Sequence, residues 1–503
     1  MSETEAQSGG AEGVLESQDV FEQLVTGEAS LWKGVSDQGK QQVKAAMRSI
    51  AEIALERTNL ISSDVVESIS SMIAEIDATL SAQVNEIIHH PKFQQLESAW
   101  QGLHYLVNNS ETGTELQIRV LNASKQEVGK VLRRFKGTNW DQSPLFKKLY
   151  ETEYGTLGGH PYGCIVADYY FDHTPPDVEF LQGIARVSAA AHAPFISGAS
   201  PSVLLLDSWQ DLQKPKDISN LFRADEYAAW NALRESEDAR YLGLAMPRFL
   251  GRQPYGARTN PIEEFAFEED TGQGDSSKYA WLNAAYAMAA NINRSYSNYG
   301  WCTRIRGVES GGTVENLPVH VFPTDDGGMD TKCPTEISIT ERRENELSTA
   351  GLMALTHRKG TNQATFLSAQ SVQKPKTYEG PGGEDATKSA ALSARLPYLF
   401  PVCRFAHYLK SIVRDRIGGF TSREQMERFL NSWIKNYVHG DPTNAQQEEL
   451  ARLPLAGAQV KVEDDPLNPG YYRSEFWLRP HYQLEGLTVA LRLVSSLPQD
   501  RQQ

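Results

Sequence analysis

The chain has 503 residues, 40% hydrophobic and 22% charged, which is ordinary for a folded protein and enough for two or three packed domains. Its 49 Lys and Arg stand against 64 Asp and Glu, a formal net charge of -15, which argues against a free nucleic-acid binder and against an anionic membrane surface as partner. Four scattered cysteines without a CxxC pair, the absence of a long apolar run and an N-terminus (MSETEAQSGGAEG) with no basic or apolar core speak against a disulfide framework, a membrane span and a secretory signal; a reducing cytoplasm is the expected setting.

Residues 1–13 are small, acidic and Gly-containing, and disorder is expected there. Val14, Leu15, Phe21, Leu24 and Val25 then fall roughly on one helical face, surrounded by Glu16, Asp19 and Glu22. Such a helix either docks on its own domain or serves as a peptide for a partner's groove. Val43, Met47, Ile50 and Ala54 follow one helical face, and Val65, Ile69, Met72, Ile73, Ile76, Leu80, Val84 and Ile87 another. Asp64 with Glu67 three residues on reads as a helix start. A third helix is expected around Leu96, Trp100 and Leu103.

The centre alternates strand and helix patterns. Cys164–Asp168, Phe195-Ile196, Val203–Leu206, Leu242–Met246 and Ala364–Ala369 read as buried strands, and Pro176 opens a helix carrying Phe180, Ile184 and Val187. This rhythm predicts a mixed α/β (α+β) fold: a central mixed sheet with flanking helices. Segments 256–276 and 374–388 read as loops. Beyond them, Val402, Phe405, Leu409, Ile412 and Val413 share one helical face, stopped by Gly418-Gly419. Met426, Phe429, Leu430, Trp433, Ile434 and Tyr437 share another, started by Ser422 with Gln425 as a capping box.

After an acidic connector rich in Pro, Asn and Gly (EDDPLNPGYY), Phe476 and Leu478 alternate with Glu475, Trp477 and Arg479. Leu487, Val489, Leu491 and Leu493 alternate with Thr488, Ala490, Arg492 and Val494. Both have the period of a strand with one buried face. A strand behind such a connector closes its own sheet or completes a neighbour's by strand addition. The organisation expected is a flexible segment 1–40, a helical and α/β region 41–375, and a C-terminal domain 385–503 with the terminal strands.

Motifs for chemistry are missing: no Walker A, Rossmann glycine fingerprint, HExxH or G-x-S-x-G is present. Asp325–Asp330 lacks EF-hand spacing and reads as a solvated turn. His89-His90 do not share a helical face, and Ser197–Ser200 has no assignable base. No catalytic residue, cofactor or metal ligand is therefore expected. Tyr169-Tyr170-Phe171 and Tyr296–Trp301 suit packing better than base stacking. Arg404, Lys410, Arg414 and Arg416 line either a solvated helix face or a basic surface for an acidic neighbour.

Six blocks carry a resemblance in one order along the chain: HHPKFQQLESAWQGLHYLV from His89, GGHPYGCIVADYYFDH from Gly158, DARYLGLAMPRFLGRQPYG from Asp238, YGWCTRIRGVESGGTVENLP from Tyr299, ARLPYLFPVCRFAHYLK from Ala394, and the run from Arg479 to Ser495. They resemble the large subunit of the type VI secretion contractile sheath, the TssC/VipB/EvpB/ImpC family. The resemblance implies a non-enzymatic structural subunit. It implies a heterodimer with a small sheath subunit of the TssB/VipA type, stacked as six-membered rings around an Hcp inner tube on a baseplate, with terminal strands donated to an intersubunit sheet. It also implies recycling by the AAA+ unfoldase ClpV through an N-terminal helix, for which Val14, Leu15, Phe21, Leu24 and Val25 are the matching residues. Phe476, Leu478, Leu487, Val489, Leu491 and Leu493 are the matching intersubunit strand residues. The alternatives are a cytoplasmic scaffold module or an enzyme on the central α/β region.

Overall fold

The computed structural model describes Gln41, Ala45 and residues 65–481, apart from 215–216, 273, 324–326, 381, 417–421, 442–443 and 465–471. The segment Val14–Val25 and the strand 487–494 lie outside the described residues. The chain divides into two units, residues 1–90 with 254–270, and residues 91–253 with 271–503.

In the first unit, helix α1 (Val65–Ile88) stands beside the 254–270 segment. Asn85 joins them by copying a backbone pair: its Nδ2 donates to the Glu268 carbonyl at 3.1 Å, and its Oδ1 accepts from Asp270 N at 2.9 Å. His89, just beyond the helix, sits 3.6 Å from the Glu269 carboxylate, which also accepts from Tyr255 N. Ile73, Leu80 and Ile87 recur every seven residues and are all exposed.

The second unit contains helices α2 (Pro91–Asn108), α3 (Lys125–Arg134), α4 (Pro175–Ala191), α5 (Ala228–Glu235), α6 (Ala284–Tyr299), α7 (Glu341–Thr349), α8 (Gly383–Ser393), α9 (Leu396–Asp415), α10 (Arg423–Lys435) and α11 (Gln447–Arg452). Its main sheet runs β1-β2-β3-β9-β10-β6, from β1 (Ile165–Phe171), β2 (Phe195–Ala199), β3 (Leu242–Met246), β9 (Met353–His357), β10 (Ala364–Phe366) and β6 (Thr313–Val314). The first four are parallel, and β10 and β6 join antiparallel. Short pairs β4 (Phe249–Leu250) with β5 (Trp281–Leu282), and β7 (His320–Pro323) with β8 (Met329–Lys332), lie outside it.

The inner parallel strands β2, β3 and β9 are buried almost throughout and read as largely apolar runs, while the edge strand β1 is half-buried. Phe195, Leu242, Leu244 and Ala354 point to one core, with Val178, Leu181 and Ile184 of α4 and Trp230 of α5. Ile196, Ala245, Met353 and Leu355 point to the other, with Ala284, Met288 and Ile292 of α6 and Leu396, Phe400 and Cys403 of α9. One-residue alternation thus divides each strand between two helical layers. Helix α2 docks on α6 at Gly102, where a Cβ would meet the Tyr286 ring at 2.3 Å, so glycine alone permits this approach.

One expected strand is a helical turn. Val203 and Leu204 belong to a 3-10 segment (Pro201–Leu204) whose first position is Pro201, and Ser200 Oγ caps it by accepting from Ser202 N. Leu205 closes it with φ 53°. Proline at the first turn and a serine cap outweighed the apolar run.

Candidate assembly site

The C-terminal part of the second unit is built on β11 (Leu455–Asp464) and β12 (Tyr472–Pro480), an antiparallel two-stranded sheet. Val460 faces Phe476, Ala458 faces Leu478, and Gln459 faces Trp477. Val460 and Val462 are buried against Phe405 and Leu409 of α9, Met426, Leu430 and Ile434 of α10, and Trp301. Trp301 stacks on Phe405 at 4.3 Å, with Tyr437 edge-on to both.

The two edges of this sheet differ. Along β11, Asn431 of α10 holds Val460 from both sides, its Nδ2 donating to the carbonyl at 2.7 Å and its Oδ1 accepting from the N–H at 3.0 Å. Glu427 accepts from Val462 N at 3.0 Å. Helix α10 therefore occupies this edge with side chains that imitate a neighbouring strand, a recognised way of blunting an edge. Residues opposite one another in an antiparallel pair alternate between bonding to each other and bonding outward. Val460 and Val462 bond outward, so their partners Phe476 and Ser474 also turn their N–H and C=O groups away from β11, and Leu478 shares that parity. Among the described residues nothing pairs with this second edge.

Phe476 and Leu478 thus lie on the inner face of β12, with Glu475, Trp477 and Arg479 on the outer one. The inner face is incompletely covered: Leu478 is half-buried against the core, while Phe476 keeps 39% of its surface exposed. Trp477, on the outer face, is 57% exposed, and its ring lies 5.9 Å from the Arg479 guanidinium. Leu487, Val489, Leu491 and Leu493 lie outside the described residues, as do Val14, Leu15, Phe21, Leu24 and Val25. Neither the hairpin partner β11 nor its capped edge was singled out by sequence reasoning. The alternation of Ala458, Val460 and Val462 with Gln459 and Lys461 was a signal for the strand. The caps, about thirty residues away, had none.

A second apolar surface lies on α2, where Phe93, Leu96, Trp100 and Val107 are exposed and Leu103 is half-buried between them. Their spacing of three, four, three and four residues is that of a coiled-coil seam. Trp100 keeps 67% of its surface exposed, too large an apolar side chain to leave in water without reason.

The weak chemical candidates do not converge. Ser197 Oγ is buried and its hydrogen bonds go to the Ala167 and Tyr169 carbonyls. Among the described residues no group of three His, Cys, Asp or Glu side chains is arranged to hold a metal, and no helix is long and apolar enough to cross a membrane. The basic residues of α9 turn onto their own chain. Arg404 lies over Tyr408 at 4.7 Å, Lys410 Nζ over Tyr154 at 3.9 Å, and Arg416 over Phe429 at 4.1 Å. Arg414 donates to the carbonyls of Tyr154 and Thr156. They act as cation–π and hydrogen-bonding struts, not as a free basic stripe.

Comparison with known proteins decides what these surfaces belong to. The family described as "EvpB/VC_A0108, tail sheath N-terminal domain" matches residues 70–373, and "EvpB/VC_A0108, tail sheath gpW/gp25-like domain" matches residues 385–497. The chain belongs to the type VI secretion tail sheath family. The Pseudomonas aeruginosa protein "Type VI secretion system sheath protein TssC1" is 62% identical over 467 residues, which is 93% of each chain. Among solved structures, a chain of the anti-feeding prophage baseplate is similar at a TM-score of 0.37 and 10% identity, covering 76% of this chain and 83% of that one. This sheath protein is a structural subunit of a contractile sheath, and membership of that structural family carries a non-enzymatic role.

Proposed function

We propose that this sheath subunit pairs in the bacterial cytoplasm with a small sheath subunit and polymerises as stacked six-membered rings around an Hcp inner tube, growing from a baseplate. Contraction of that polymer drives effector delivery, and the subunit itself performs no covalent chemistry. The observation that carries this reading is the 62% identity to a sheath protein across 93% of both chains. Two features of the fold support it. The heptad-spaced apolar residues on α1, and separately those on α2, suit burial against partner helices. The open edge of β12 suits a strand from a neighbouring subunit, and the strand at 487–494 is the proposed donor. The incoming strand pairs with β12, because α10 already occupies the β11 edge. Co-expression with the small subunit, followed by electron microscopy, tests the assembly: tubules are the expected result, and discrete particles of fixed small mass overturn it.

Recycling by ClpV is the second part of the proposal. Short isolated helices are marginal in water, so a peptide such as Val14–Val25 gains most of its order when a groove covers its apolar face. Phe21, Leu24 and Val25 would supply most of the anchoring area, with Leu15 one or two turns away. The double substitution Phe21→Ala with Leu24→Ala is expected to leave sheath formation intact and to make contracted sheaths accumulate, as counted by fluorescence microscopy of a tagged sheath. Normal turnover in the double variant would move the tag elsewhere, and loss of sheaths altogether would make this helix structural.

A further inference from the structure

Three stretches of chain meet at the first residues of β11. Leu455 N donates to the Tyr437 carbonyl at 3.2 Å, and the Leu455 carbonyl accepts from His439 N at 3.0 Å, so residues 437–439 run beside it as a short parallel bridge. On the β12 side, His481 N donates to the Pro454 carbonyl at 3.1 Å, one residue beyond the end of the strand. Each flanking stretch carries a histidine there, and the two rings lie 6.3 Å apart at an angle of 67°. His481 is also the residue after which 482–503 continue.

This arrangement suits two neutral rings. The Asp441 N–H can only donate, and it lies 3.2 Å from His439 Nδ1, so that nitrogen accepts and Nε2 carries the hydrogen. A proton added at Nδ1 would set one N–H against another. Nε2 of His481 is buried without a hydrogen-bond partner, so a proton there is a charge shut off from water. The charged groups around the pair compensate little. Glu449 of α11 lies 4.0 Å from His439 Nε2, but its side chain is 58% exposed, which leaves the attraction weak. The Asp441 carboxylate accepts from Asn444 Nδ2 at 2.9 Å. Arg479 of β12 donates to the Ala456 carbonyl at 3.5 Å and adds a cation near His481. Burial first, then His439 and Arg479, hold the His481 pKa below its ordinary 6.5, against the backbone bonds at Leu453 and Leu455.

We propose that His439 and His481 form an acid-sensitive latch: neutral, they let residues 437–439 and 480–481 close on the first residues of β11, and protonated, they part and free the root from which residues 482–503 leave the sheet. The opened junction exposes both rings to water and accepts their protons, while the closed junction refuses them. The open form therefore binds more protons below pH 6.5, and the closed form loses ground as pH falls through that value. The backbone bonds at Leu455 and Pro454 are the part of the sheet that opens, because each is made by a histidine or by a residue beside one. What the opening does to assembly rests on the strand-donation reading of 482–503; the latch itself does not.

The test follows hydrogen–deuterium exchange of the native full-length chain by mass spectrometry at pH 7.5 and pH 5.5, each corrected for the intrinsic exchange rate. Peptides covering 437–439, 453–456 and 478–481 are expected to open about tenfold more often at pH 5.5, the effect of one proton across that interval, while peptides of β2 and β3 keep their protection. His439→Gln together with His481→Gln makes exchange at the junction independent of pH over this range. Equal protection at both pH values in the native chain, or the same loss in the double variant, overturns the proposal. Should the double variant fail to fold, the native chain decides: a loss confined to the junction supports the latch, and a loss shared equally by β2 and β3 overturns it. The small subunit takes no part in the measurement, so its result stands apart from whether residues 482–503 are donated to a neighbour.

Discussion

Deletion of residues 482–503 is expected to abolish tubules while the rest of the chain keeps its fold. The hairpin explains why this deletion is cleaner than one made before Ser474. A cut before Ser474 removes most of β12, strips the inner face of β11 and exposes Val460 and Val462, which are 1% and 2% exposed in the intact unit. Any loss of assembly would then have two causes. A cut after His481 leaves β11 and β12 paired and removes only the proposed donor.

The expected size follows from opposing magnitudes. Burying Leu487, Val489, Leu491 and Leu493 contributes roughly 1.5–3 kcal/mol each, and each ladder hydrogen bond roughly 1 kcal/mol net. Ordering eight residues of free chain costs about 1–2 kcal/mol each. The two sums nearly cancel, so one junction is marginal and the polymer depends on many junctions closing together. A small loss per junction then becomes a total loss of tubules. Leu491→Asp is expected to act in the same direction, since the carboxylate loses its solvation without a partner. Phe476→Pro probes the receiving edge. Its N–H points away from β11, so proline removes a donor for the incoming strand and leaves the home ladder intact. Normal tubules from the deletion, seen by electron microscopy, would end the strand-donation reading. Tubules unaffected by Phe476→Pro alone would move the docking edge away from β12.

Much of this architecture was written in local patterns, and the parts that were not have identifiable reasons. β2 and β3 were legible because parallel strands covered on both faces must be largely apolar. Helix α10 was legible from its apolar period and its start, where Ser422 Oγ accepts from Gln425 N. The Val203–Leu206 run misled because its composition suits a strand, while Pro201 and the Ser200 cap act on the backbone. Leu96 and Trp100 were placed correctly on a helix, but periodicity cannot say whether an apolar stripe meets its own core or water. In this chain Leu96 and Trp100 are exposed. The Asn431 clamp on Val460 joins residues far apart in sequence, so no local pattern announces it.

Acid is expected to destabilise the second unit through His407. Its ring lies deep between α9 and α4, with Nε2 donating to the Ala191 carbonyl at 2.8 Å. Nδ1 is buried without a hydrogen-bond partner, and the Tyr154 and His192 rings lie 4.9 Å and 6.2 Å away. Burial drives the His407 pKa down to about 3, with Arg404, His192 and Lys410 adding to the effect and the Ala191 bond opposing it. A proton on Nδ1 would be a buried charge with no acceptor, close to two cations. The folded state therefore refuses the proton while the unfolded state, near pKa 6.5, accepts it. Between pH 6.5 and about 3 the unfolded chain binds more protons, so stability falls as pH falls through that window. By pH 5 the loss from this one group is roughly 2 kcal/mol. His192, lowered by burial and by Lys410, loses stability in the same direction. His407→Gln keeps a donor for the Ala191 carbonyl and does not titrate. Thermal unfolding followed from pH 7.5 to 5 is expected to show a shallower decline in this variant than in the native chain, with part of the slope left to His192. A variant that loses stability as steeply as the native chain would show that His407 is not the group acid acts on.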